Sequence, residues 1–109
     1  MILIFGGAYQ GKLDYASSRF GNTRKIINDA DKWILTLIQE NKDVSYEVSQ
    51  FLDENKDAVV ICNDISCGIV PVDPMMRRWR EEAGRFMAQA AEKSDEVVRL
   101  FCGIPMRIK

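Results

Sequence analysis

At 109 residues, with 47% apolar and 28% charged side chains, the chain has the composition of an ordinary globular domain, which excludes disordered, collagen-like and membrane-spanning classes. Net charge is −1, yet residues 1–74 hold 7 basic and 11 acidic side chains while residues 75–109 hold 8 and 5. The basic C-terminal third suits a local anion site or a solvated helix face, and the overall acidity with interleaved Glu81 and Glu82 argues against a nucleic-acid footprint.

Met1 to Phe5 is a continuous apolar run stopped by Gly6-Gly7, as expected for a strand buried on both faces of a parallel sheet. It is too short for a signal-peptide core, so the chain is expected to be cytoplasmic. Tyr15, Ala16 and Phe20 predict a helix starting near Gly11 and stopped by Gly21-Asn22. Lys25 to Asn28 reads as a second short strand. Trp33, Ile34, Leu37 and Ile38 share one face of a helix over Asp31 to Glu40, and Val44, Val48, Phe51 and Leu52 share a face of the next, ending near Asn55-Lys56. Ala58 to Cys62 is a third strand, followed by a loop containing Gly68, Pro71 and Pro74. Asp73-Pro74 is a helix start, a capping carboxylate before a proline in the first turn. The helix that follows places Trp79, Ala83, Phe86, Met87 and Ala90 on its inner face. Val97 to Cys102 is a fourth strand, and Pro105 to Ile108 a short edge segment. Alternating strands and helices predict an α/β fold around a mostly parallel sheet, small for a sheet covered on both faces. Oligomerisation is one source of the missing burial.

Cys62, Cys67 and Cys102 are odd in number and contain no C-x-x-C pair, against both a disulfide framework and a zinc site. Cys62 and Cys102 lie in strand-like runs and read as small buried apolar residues. The chain has no histidine, which removes the commonest metal ligand and the commonest neutral-pH acid or base.

After the first strand comes Gly6-Gly7-Ala8-Tyr9-Gln10-Gly11-Lys12-Leu13, which fits G-x-x-x-x-G-K and lacks only the final Ser or Thr of a phosphate loop. In that reading backbone N–H groups wrap a polyphosphate, Lys12 reaches its outer oxygens, and the next helix adds its dipole. The alternative is a tight strand-to-helix turn with Lys12 in solvent. The missing hydroxyl would have been a Mg²⁺ ligand, and Leu13 offers a hard cation nothing, so the metal site is expected to be weakened. Acidic candidates for a second magnesium contact are Asp29, after the second strand, and Asp64, after the third. The alternative for each is a helix cap or a turn carboxylate.

Asn63-Asp64-Ile65-Ser66-Cys67-Gly68-Ile69-Val70-Pro71, then Arg77-Arg78-Trp79-Arg80-Glu81-Glu82-Ala83-Gly84-Arg85, then Ser94-Asp95-Glu96-Val97 and Gly103-Ile104-Pro105 form an ordered set of motifs. Together they resemble the bifunctional adenosylcobinamide kinase and adenosylcobinamide-phosphate guanylyltransferase family of cobalamin biosynthesis. The resemblance is dense over residues 58–109 and looser at the Gly6 to Leu13 loop, where Tyr9 and Gln10 replace residues that are small or basic in the family. It implies a single P-loop NTPase-like, three-layer domain in truncated form, binding ATP or GTP with Mg²⁺, with a corrinoid as a further ligand and a homo-oligomer, trimeric in that family. It also implies Lys12 and Asp29 as catalytic residues, Gly6 to Leu13 as the nucleotide-binding loop and Asp29 and Asp64 as metal contacts. The family's guanylyl transfer passes through a histidine in a segment that follows the phosphate loop. Here Phe20 runs through Gly21-Asn22 almost directly into the second strand, so guanylyl transfer by that route is not expected. Kinase activity needs chiefly Lys12, Mg²⁺ and arginines such as Arg77, Arg78, Arg80 and Arg85. The competing expectation is a non-catalytic oligomeric or regulatory relative.

Overall fold

The computed structural model describes residues 1–65 and 72–109. Among the described residues nine elements follow one another: β1 (Ile2–Gly6), α1 (Lys12–Phe20), β2 (Ile26–Ile27), α2 (Ala30–Gln39), α3 (Val44–Glu54), β3 (Val59–Asn63), α4 (Pro74–Lys93), β4 (Glu96–Phe101) and β5 (Ile104–Arg107). The predicted elements are all present, with ends shifted by a residue or two. The Gly68-Ile69-Val70-Pro71 motif lies outside the described residues.

The strands form one sheet in the order β2-β3-β1-β4-β5, parallel throughout except for β5, which pairs antiparallel with β4. Period-two alternation sends successive side chains to opposite faces. Met1, Leu3, Val60, Cys62 and Val97 pack against α2, α3 and α4 through Ile34, Leu37, Val48, Leu52, Phe86 and Ala90. Ile2, Ile4, Val59, Ile61, Val98 and Leu100 pack against Ala16 and Phe20 of α1. The result is the three-layer α/β arrangement of P-loop-like folds, with three helices over one face of the sheet and one over the other. Trp33, Phe51 and Phe86 form an aromatic cluster in the larger layer, with centroids 4.7, 5.8 and 6.3 Å apart.

The topology determines where a ligand can sit. The β1-α1-β2 connection skips over β3, and the β3-α4-β4 connection skips over β1. The chain therefore leaves the neighbouring C-terminal ends of β1 and β3 in opposite directions and opens a crevice, the usual ligand position in an open parallel sheet. Gly6 and Asn63 face each other in register there. Gly6 has φ 151, and a Cβ at this position would lie 2.4 Å from the Leu100 carbonyl oxygen, so only glycine lets β1 end this close to β4.

One sequence expectation is corrected. Cys102 is exposed, not buried, because it begins the two-residue turn between β4 and β5 with φ 52, followed by Gly103 at φ 75. Such a turn needs two left-handed residues and points its side chains outward. Arg77 and Arg78 are exposed at the start of α4, and Arg85 pairs with Glu82 at 2.8 Å.

Candidate functional site at the ends of β1 and β3

A cleft of about 390 Å³ opens at this crevice, walled by Ala8 to Asp14 on one side and by Asn28, Asp29, Lys32 and Asn63 on the other. The loop from Gly6 to Gly11 curls through left-handed conformations at Tyr9 (φ 59) and Gly11 (φ 83). Turns of this kind aim successive amides to one side, which suits an anion. Tyr9 stands at the apex, fully exposed at 103%. Gln10 is anchored, its side-chain carbonyl accepting from the Cys102 backbone N–H at 2.5 Å, which ties the loop to the β4-β5 turn.

The helix ends around the cleft share a property. No side chain caps the first amides of α1 or α2, whereas Asp43 caps α3 and Asp73 caps α4 through the amides of Tyr46 and Met75. The two helices that begin at the cleft thus keep amides and the positive end of their dipoles open to it.

Lys12 is not in solvent. It is 6% exposed, and its ammonium folds back to donate to the Gly7 carbonyl at 2.5 Å, inside the bowl of the loop. Burial lowers its pKa below the ordinary 10.5, while the negative charges of Asp31 and Asp29 act the other way. The turn-with-solvent-lysine alternative is therefore excluded on geometry. Leu13 is 45% exposed at the position where a phosphate loop carries its hydroxyl, and brings no oxygen to the cleft.

Asp29 lines the cleft from the start of α2 with φ 56. It does not cap the helix; its carboxylate pairs with Lys32 at 3.6 Å. Asp64 follows β3, and its backbone N–H donates to the Gly6 carbonyl at 2.8 Å, joining the two strand ends. Among the described residues no cluster of three or more His, Cys, Asp or Glu side chains could hold a metal. The donor set fits a phosphate better than a cation, and Mg²⁺ here would depend on one or two carboxylates and on phosphate oxygens. Cys62 is fully buried and its thiol is pushed up to about 12, by desolvation first and then by Asp31 and Asp64, so it is neutral and not a nucleophile at physiological pH.

Sequence reasoning missed Asp31. Its carboxylate is 2% exposed and accepts from both the backbone and side-chain N–H groups of Asn63, at 3.1 and 3.3 Å. As an acidic residue in the first turn of a helix it has an ordinary signature, and nothing local marks it as buried. Its spacing from Trp79 and Asn63 becomes meaningful only once the sheet order is known.

No helix among the described residues is long and apolar enough to cross a membrane. The Salmonella typhimurium protein described as bifunctional adenosylcobalamin biosynthesis protein CobU is 29% identical over 84 residues, a match covering 75% of this chain. It covers 46% of that relative, so the chain spans about half the relative's length. A model of a known family matches residues 22–108, beginning beyond the end of α1, so that it covers neither the Gly6 to Lys12 loop nor that helix, and running nearly to the C-terminus. On that match, the chain belongs to the cobinamide kinase / cobinamide phosphate guanyltransferase family.

Proposed function

We propose that the chain is a single, shortened domain of this family that binds the triphosphate of ATP or GTP through Gly6 to Lys12, without guanylyl transfer through a histidine and with weak kinase activity at most. The observation that carries this reading is the buried Lys12 ammonium, held at the loop beside a cleft and bonded, among the described residues, to the exchangeable carbonyl of Gly7. A phosphate oxygen is a stronger, charge-assisted acceptor than that carbonyl and would take its place. Lys12 is then the residue that steadies transferring phosphate charge, with Asp29 beside it at the rim. When bound, Mg²⁺ would supply further charge neutralisation, held by Asp29 or Asp64 and the phosphates, and less firmly than where a hydroxyl replaces Leu13. Family membership supports a corrinoid alcohol as acceptor and a cytoplasmic location.

Calorimetric titration with ATP and with GTP, each with and without Mg²⁺, tests the reading. Binding in the wild type and its loss by about 100-fold or more in Lys12→Ala is expected, since a charged contact to phosphate is removed. Equal affinity in the two proteins sinks the proposal.

A second reading is favoured by a different observation. Phe101, Ile104, Met106 and Ile108 are 49–64% exposed in the β4-β5 hairpin and the residues that follow it. In that reading the chain is a non-catalytic homo-oligomer, built on this face. Light scattering at working concentration decides it: a defined oligomer together with no nucleotide binding supports it, and a monomer removes it.

A further inference from the structure

Asp31 and Glu96 are the two buried carboxylates among the described residues, and Asp31 is the deeper, at 2% against 9%. A carboxylate taken out of water is costly unless its charge is met. Glu96 is met directly by Arg19. Asp31 is met differently: among the described residues its carboxylate accepts from the backbone and side-chain N–H groups of Asn63, which are neutral. The buried cation of this neighbourhood is Lys12, 6% exposed, whose ammonium is bonded to Gly7 next to the Gly6–Asn63 register pair that Asp31 holds, and the charge of Asp31 favours its ammonium form.

The two charges make no direct ion pair. The Lys12 ammonium donates to the Gly7 carbonyl, while Asp31 is clamped to Asn63 at the end of β3, the residue that faces Gly6 in the sheet. Asp31 is also held through its main chain, because the Trp79 indole N–H of α4 donates to its carbonyl at 2.7 Å. Residues of β3 and α4 thus fix one residue in the first turn of α2. The arrangement separates two requirements. A carboxylate in contact with the ammonium would compete with phosphate for its N–H groups, whereas one held a short way back stabilises the charge by Coulomb attraction and leaves those N–H groups available.

We propose, on the reading that the Gly6 to Gly11 loop holds phosphate, that Asp31 is the positioning residue of this site: a fixed counter-charge near Lys12 that keeps its ammonium aimed into the loop. The other groups facing Lys12 do not replace it. Asp29 sits at the rim and is paired with Lys32, Asp14 lies on the outer wall of the cleft, and Cys62 is neutral.

The test uses Asp31→Asn, which keeps the size and an oxygen for the Asn63 amide but removes the charge. Lys12 is followed by lysine-selective NMR through an alkaline pH titration of the free protein, and inorganic triphosphate is titrated by calorimetry along the same pH series. The expected result is a Lys12 titration midpoint lowered by about one unit, with triphosphate affinity reduced roughly tenfold and the deficit widening as pH rises. Asp31→Glu, which restores the charge, should return the midpoint toward the wild-type value. An unchanged midpoint in Asp31→Asn overturns the proposal whatever the affinities. A lowered midpoint with no triphosphate binding in any variant, the wild type included, upholds the Asp31–Lys12 pairing and removes the phosphate reading. If Asp31→Asn does not fold, Asn63→Ala loosens the same clamp: a threefold or greater loss of triphosphate affinity is expected, and unchanged affinity overturns the proposal.

Discussion

Lys12 concentrates the tension between folding and binding. Its pKa is depressed in the folded chain, so the fold carries a penalty for the ammonium that is fully present below the folded value and is relieved as pH climbs through that value toward 10.5. Removing Lys12 alone is nevertheless not expected to help, because Asp31 would then be buried without a cation. Lys12→Met and Asp31→Asn should each destabilise, and the double variant should recover part of the loss. Urea denaturation of the four proteins is expected to give a coupling of about 0.5–3 kcal/mol, the range for groups that share one network. Strict additivity would mean that the two charges do not sense each other.

At the scale of elements, the smaller layer depends on how α1 is fastened. It is the single helix over the Ile2, Ile4, Val59 and Ile61 face, and Arg19 near its end forks onto both oxygens of Glu96 at the start of β4. That contact holds the Glu96 pKa below the ordinary 4.5, chiefly through the Arg19 hydrogen bonds and against a desolvation penalty. A carboxylate with a depressed folded pKa contributes stability that is present above its unfolded value and lost as pH falls through the folded one. The stability gap between wild type and Glu96→Gln should therefore be constant above about pH 5 and close on further acidification, measured by urea denaturation at stepped pH. Arg19 is 42% exposed, so solvent screening keeps the gap modest. The elements themselves were legible in the sequence because their signals are local. The glycines after β1, Asp73-Pro74 ahead of α4 and the spacing of Val44, Val48 and Leu52 each act within a turn or two. Cys102 was misread because a residue ending an apolar run looks like strand until the antiparallel return of β5 demands a left-handed turn there.

For the whole molecule, the site was legible in its first half and not in its second. The spacing of Gly6, Gly11 and Lys12 is a contiguous motif, and the cleft lies beside it. The opposing wall comes from Asn28, Asp29, Lys32 and Asn63, brought together by a strand order that skips β3 between β1 and β2. No one-dimensional pattern encodes that adjacency, so Asn63 and Asp31 were invisible until the sheet was assembled. The same assembly places both tryptophans of the chain on α2: Trp33 belongs to it, and Trp79 reaches it through the Asp31 carbonyl. The Trp79 indole, hydrogen bonded to the main chain of Asp31 near the cleft, is thereby an intrinsic fluorophore, and a shift of its emission on nucleotide addition would report occupancy without any label.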